Sequence, residues 1–186
     1  SLPFATALRS LQREMIRRDP NWSDGSYSAK KFPTMGMRLA RKLGMITYRS
    51  ADEWGERFGR ERSSDDFSVD DPFAFTFEIE TYLEHHANKF TGQFDPNCYL
   101  YLSRASDLFD VADHGSSVEE AIEKIKASRV MVVGVVSDIL YPLHQQNKLA
   151  SLLRDGKRDV QFVELPSIQG HDSFLVDMDN FCPVVA

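Results

Sequence analysis

Cysteine is scarce in this chain: Cys98 and Cys182 are the only two in 186 residues. They lie far apart and outside any Cys-x-x-Cys spacing, which excludes a disulfide framework and a thiolate zinc site and fits a reducing compartment. Long hydrophobic runs are missing as well. No apolar stretch reaches the roughly 18–20 residues that span a bilayer, and the start of the chain has no basic region followed by an apolar one. The expectation is a protein without a membrane partner, cytoplasmic, or of the mitochondrial matrix if a presequence has been removed. Basic residues are outnumbered, 22 Lys and Arg against 28 Asp and Glu for a net charge of −6. They are also scattered, so no footprint for a nucleic-acid backbone is present. Internal repeats and low-complexity tracts are absent too. What remains is ordinary globular composition, 42% hydrophobic and 27% charged, in a chain long enough to bury about 70% of its unfolded surface.

The pattern changes character once. From Leu2 to about Ala127 it is helical, with Leu8, Leu11 and Met15 recurring at three- and four-residue steps and Phe75, Ile79, Tyr82 and Phe90 doing so less regularly. Dense turn signals punctuate it: Asp19-Pro20-Asn21-Trp22-Ser23-Asp24-Gly25, and a polar Ser- and Asp-rich stretch over 60–72 that reads as a mobile loop. After Ala127 comes Arg129-Val130-Met131-Val132-Val133-Gly134-Val135-Val136, nearly continuous and β-branched, as suits a central strand covered on both faces. A helix is predicted over 144–154 with Leu149, Leu152 and Leu153 on one face. A second, alternating strand is predicted over 159–165. The class is α/β, with a helical layer over 1–127 and a βαβ portion over 128–186.

In a βαβ crossover the strands are parallel, so whatever follows each strand meets at one sheet edge, where ligands and reactive groups gather in open α/β sheets. The first strand runs out into Ser137-Asp138 and the second into Gln169-Gly170-His171-Asp172. Asp138 and His171 are therefore candidates for a hydrogen-bonded pair in which the carboxylate fixes the tautomer and the imidazole acts as general base. The competing reading makes Asp138 a helix cap and His171 a polar corner residue. A nucleophile for that base is missing: the Gly-x-Ser-x-Gly turn that exposes a serine above such a sheet occurs nowhere in the chain. The chain order serine, acid, histidine puts that serine before Asp138, and the 186 residues read as the C-terminal part of a larger catalytic unit.

Several runs then match a known family. Val135-Val136-Ser137-Asp138-Ile139-Leu140-Tyr141-Pro142-Leu143, with Gly170-His171-Asp172-Ser173-Phe174 downstream, resembles the end of the homoserine O-acetyltransferases. Asp19-Pro20-Asn21-Trp22, Ala40-Arg41-Lys42, Ile46-Thr47-Tyr48-Arg49-Ser50 and Phe94-Asp95-Pro96-Asn97-Cys98-Tyr99 resemble that family's helical lid. The resemblance implies the C-terminal part of an α/β-hydrolase fold under a helical lid, the N-terminal part of the sheet being absent from this chain. It implies a ping-pong transfer of an acyl group from an acyl-CoA co-substrate, acetyl-CoA or succinyl-CoA, to L-serine or L-homoserine. No cofactor or metal is implied; a homodimer and an N-terminal portion bearing the nucleophilic serine are. Position by position, Asp138 and His171 match the acid and base. Arg41 and Tyr48 match the grip on the acceptor's carboxylate, and Asp172 matches the residue facing its ammonium. Without the resemblance Arg41 reads as a solvated helix residue and Tyr48 as a half-buried aromatic. The departure is Tyr82-Leu83-Glu84-His85-His86-Ala87, which lacks the family's usual Tyr-Gln-Gly core and leans toward the serine O-acyltransferase branch, including O-succinyltransferases. His85 and His86 read equally well as helix-surface residues.

Overall fold

Proline is tolerated at the first position of a helix, where its missing N–H has no partner to lose, and Pro3 opens α1, Pro3–Arg17. The computed structural model describes residues 2–63, 71, 73–156 and 158–185; residues 64–70 and 72, most of the polar stretch predicted as a mobile loop, lie outside them. Two compact units are present, and the chain passes back and forth between them. One is Leu2–Ile46 with Trp54–Asp107; the other is Thr47–Glu53 with Leu108–Ala186. The switch from helical to strand grammar falls inside the second unit, since α6, Val118–Glu123, precedes β1, Arg129–Val135.

The first unit is helical, holding α1, most of α2 (Thr34–Tyr48), the end of α3 (Ala51–Phe58), α4 (Glu78–Phe90) and α5 (Pro96–Leu108). Its core is Ile16, Met37 and Ala40, each 0% exposed, packed against Trp22, Phe32, Phe90 and Phe94. Burying a side chain the size of Ile16 contributes about 1.5–3 kcal/mol. The stripe predicted on α1 is displaced, because Ala5, Gln12 and Ile16 are its buried residues while Leu11 is 44% exposed. Gln12 tolerates burial because its Nε2 donates to the Ala40 carbonyl at 3.1 Å. The turn after α1 is set by Asp19, whose carboxylate accepts from the Asn21 N–H and the Gly36 N–H, both at 2.9 Å. Several charges inside this unit are paired: Arg38 and Lys42 on Glu84, and Arg9 and Arg13 on Asp107.

The second unit holds the sheet. β1 and β2, Asp159–Leu165, pair in parallel from Arg129 opposite Asp159 to Val135 opposite Leu165, with α7, Leu143–Asp155, between them in the chain. Ile122, Val132, Ala150 and Leu153 form the core against Val130, Val160 and Phe162. Two expectations need correction. Leu149 does not share the buried face of α7, being 39% exposed; Ala150 and Leu153 take that place, one and four positions on, because the helix turns Ala150 toward β1. Nor is β1 covered on both faces, since Met131 is 42% exposed and Val136 beyond it 56%, and among the described residues β1 pairs with β2 alone. Ser117 caps α6, and Arg158 closes its other end, its Nη2 donating to the carbonyls of Ile122, Glu123 and Ile125. Beyond β2 the chain ends in α8, Ser173–Val176, and α9, Met178–Val185.

Candidate active site

Parallel pairing brings the ends of β1 and β2 together, and each continues into a tight turn. After β1, the Asp138 N–H donates to the Val135 carbonyl, and the Asp138 Oδ1 accepts from the Leu140 and Tyr141 N–H groups at 2.8 and 3.0 Å. Its other oxygen, Oδ2, lies 2.9 Å from His171 Nδ1. Asp138 thus shapes the turn with one oxygen and holds the imidazole with the other; it does not cap α7, whose N-cap position is Pro142. A neutral His171 that donates Nδ1–H to this carboxylate carries its lone pair on Nε2, the arrangement a general base requires. The rings of Tyr141, Tyr48 and Phe174 stand 5.2, 5.9 and 6.3 Å from the imidazole. A cleft of about 270 Å³ opens beside it, lined by Val133, Asp138, Tyr141, Gln146, His171 and Phe174.

The loop that carries His171 is held by short side chains that the sequence did not flag. Ser137 Oγ donates to the Ser167 carbonyl at 2.6 Å and accepts from the Gly170 N–H at 3.0 Å, tying the end of one strand to the loop after the other. Ser173, fully buried, donates to the Gly170 carbonyl at 2.5 Å and lies 3.1 Å from Ser167 Oγ. From the 47–53 segment, Ser50 Oγ donates to the Ile168 carbonyl and accepts from the Glu53 N–H at 3.0 Å. Arg49 Nη1 donates to Gln169 Oε1 at 2.6 Å, and its Nε lies 3.8 Å from Asp172. Four serines therefore hold the backbone of this loop, and Arg49 holds the side chains of Gln169 and Asp172 on either side of His171.

Of the predicted site residues, Asp138, His171, Asp172 and Tyr48 are brought into this one unit. Arg41 belongs to the helical unit, where its guanidinium sits 4.9 Å from the Phe90 ring centroid and its buried Nε has no hydrogen-bond partner among the described residues. His86 packs on Tyr82 with ring centroids 4.3 Å apart. Burial, and then the charges of His85, Lys89, Arg57 and Arg41, hold His86 below the ordinary imidazole value.

The hydrogen bond that His171 donates to Asp138 raises the His171 pKa above its ordinary 6.5; desolvation opposes this, and the negative charges of Asp138 and Asp172 add to it. The folded state thus favours protonated His171. The stability this contributes is complete below about pH 6.5 and is lost as pH rises through the higher folded value. An NMR titration of the chain is expected to place His171 above 6.5 and to show it falling in Asp138→Asn. An unchanged value in that variant would contradict the coupling.

No family model matches the chain. A serine O-succinyltransferase of Frateuria aurantia is 54% identical over 184 residues, 98% of this chain and 50% of that protein. One of Stenotrophomonas maltophilia is 52% identical over 186 residues, all of this chain and 50% of its own length. The chain is a relative of the serine O-succinyltransferases. It spans about half the length of these curated relatives. Among solved structures, homoserine O-acetyltransferase from Bacillus anthracis superposes with a TM-score of 0.86 at 24% identity, over 99% of this chain and 48% of that one. Esterase E22 does so with a TM-score of 0.82 at 22% identity, over 98% and 49%. These two likenesses show the fold, the C-terminal part of an α/β-hydrolase. No helix among the described residues is long and apolar enough to cross a membrane.

Proposed function

We propose that this chain supplies the acid and base of an acyl-CoA-dependent O-acyltransferase, acting on L-serine in preference to L-homoserine with succinyl-CoA or acetyl-CoA as donor. The observation that carries the reading is the 2.9 Å Asp138–His171 contact at the sheet edge, in a chain similar to serine O-succinyltransferases over its full length. The nucleophilic serine comes from a portion outside these residues. Among the described residues β1 pairs with β2 alone, and its open edge supports further sheet beyond it. In the first half-reaction His171 Nε2 takes the proton of that serine as its Oγ attacks the thioester carbonyl, and the imidazolium returns the proton to the departing CoA thiolate. In the second, Nε2 takes the proton of the acceptor hydroxyl as it attacks the acyl-serine, and gives it back to the serine Oγ. Asp138 stabilises the imidazolium in both halves. The helical residues 1–127 act as a lid that keeps water from the acyl-enzyme, residues 128–186 complete the catalytic core, and the protein works as a cytoplasmic homodimer.

The acceptor is a zwitterion, which calls for a cation or phenol at one end and a carboxylate at the other. As the family resemblance implies, Arg41 and Tyr48 take its carboxylate and Asp172 its ammonium; Arg41 Nε has no hydrogen-bond partner among the described residues. Arg41→Ala is expected to raise the acceptor KM roughly 10- to 100-fold, the worth of a charge-assisted hydrogen bond of about 1.5–3 kcal/mol, while acyl-enzyme still forms. Unchanged acceptor kinetics would remove Arg41 from the site. The overall reading is tested by mass spectrometry of products from both thioesters and both amino acids, with this chain joined to its nucleophile-bearing portion. O-succinyl- or O-acetylserine is expected; free acid alone at ample acceptor would make the protein an esterase.

A further inference from the structure

The catalytic reading leaves a wide cleft in the helical unit unused. It lies along α1 and α5 and the turn Ser23–Gly25, with a volume of about 640 Å³, within the roughly 300–1,000 Å³ of small-molecule pockets. Arg13, Arg17 and Arg104 line it, and Asp24 is the one acidic residue among the described residues that do so. Three guanidiniums against one carboxylate is a local reversal of sign in a chain whose net charge is −6.

The three cations are differently placed. Arg13 is committed, its Nη1 donating to Ser103 Oγ at 2.8 Å and its Nη2 paired with Asp107 at 2.6 Å, a carboxylate that Arg9 also holds. Arg17 and Arg104 are exposed. Arg17 sits 5.6 Å from the Trp22 ring centroid. The Trp22 Nε1–H is spent on Asn97 Oδ1 at 3.0 Å, so the indole offers its π face and no donor. Tyr101, 78% exposed, supplies a second ring.

Backbone strain marks the same place. Ser23 and Asp24 both have φ 49°, two consecutive side chains in the left-handed region before Gly25. Such conformations persist only where the surroundings over-determine them, and they concentrate at ligand clamps. Here Asn97, already holding Trp22, donates its Nδ2 to the Gly25 carbonyl at 3.0 Å. One amide therefore fixes both the ring and the strained turn that face the cleft.

Guanidiniums recognise phosphate with paired N–H donors, and aromatic faces stack on flat heterocycles. We propose that this cleft binds a nucleoside phosphate, its phosphate on Arg17 and Arg104 and its base against Trp22 and Tyr101. The cleft uses none of the residues assigned above to acyl transfer. Calorimetric titration of the chain with AMP is expected to show saturable one-to-one binding that weakens with added salt. Adenosine and inorganic phosphate should each bind about tenfold more weakly or worse, since each keeps only one half of the recognition. The double variant Arg17→Ala, Arg104→Ala changes two exposed side chains; it should keep its thermal melt and lose AMP affinity by about tenfold or more. The chain has two tryptophans, so in Trp54→Phe the emission reports Trp22, and AMP should alter it. Absence of saturable binding at millimolar AMP, or affinity unmoved by the double variant, overturns the proposal. So does a double variant that changes the sedimentation mass with no effect on AMP, which would make the cleft a contact between copies of the chain.

Discussion

In an enzyme that joins this chain to its nucleophile-bearing portion, His171→Ala is expected to lower kcat by about 10²–10⁴-fold, the range a general base contributes. Asp138→Asn is the sharper test, because of how Asp138 divides its two oxygens. The substituted amide can keep its carbonyl oxygen toward the Leu140 and Tyr141 N–H groups, so the turn after β1 survives. Its NH₂ then faces His171 Nδ1, where the carboxylate oxygen stood at 2.9 Å. Nδ1 must become the acceptor, the proton moves to Nε2, and the base is lost through the wrong tautomer. The expected result is a loss of the same order as for His171→Ala with an unchanged thermal melt. If Asp138 were only a turn-shaping residue, Asn would serve as well and activity would persist. Turnover within tenfold of the parent enzyme would therefore reject the pair as acid and base.

That this pair was legible in the sequence follows from the sheet. The β-branched run 129–136 and the alternating run 159–165 can be read locally, and parallel strands joined by a helix place their following residues at one edge whatever the side chains do. The 33-position separation of Asp138 and His171 thus carries little ambiguity. The hydrogen bonds that steady the site are of another kind. Ser50 reaches the Ile168 carbonyl and Arg49 reaches Gln169, contacts between segments about 120 residues apart that leave no periodic trace. A short serine after a strand and a serine beside a histidine look like any surface polar residue until the loops are packed. The resemblance placed Arg49 and Ser50 beside Tyr48 but attached no role to them.

Burial patterns were legible only in part, for a physical reason visible in α1. Hydrophobicity ranks Leu11 above Gln12, yet Gln12 is buried because its amide finds the Ala40 carbonyl while Leu11 is 44% exposed. A polar side chain whose hydrogen bond is satisfied can occupy a helix contact at small net cost, and the partner lies on another helix that the local pattern does not see. In β1 the reasoning runs the other way. The sequence calls for cover on both faces, and Met131 stays exposed in these residues.

The largest structural effect is expected at Gly170, the residue before the imidazole. Its φ is +71°, where a side chain costs about 1–2 kcal/mol. A Cβ there would also stand 2.8 Å from the Arg49 carbonyl carbon and 2.8 Å from the Ser50 nitrogen, backbone atoms that cannot rotate away. Forcing that contact adds about 1–3 kcal/mol of overpacking, so Gly170→Ala should destabilise by roughly 2–5 kcal/mol in urea denaturation of the chain. Gly92 separates the two causes, since its φ is +84° but no atom lies within 4 Å of its would-be Cβ; Gly92→Ala should cost only the conformational part, about 1–2 kcal/mol. The excess at Gly170 measures how tightly the 47–53 segment is pressed on the histidine loop. Because the Gly170 N–H bonds to Ser137 and its carbonyl accepts from Ser173, relief of the clash must move that loop and with it His171. The His171 pKa should then fall toward 6.5 as its contact with Asp138 lengthens. Equal costs at the two glycines, with the His171 titration unmoved, would show that the loop holds its place without that close packing.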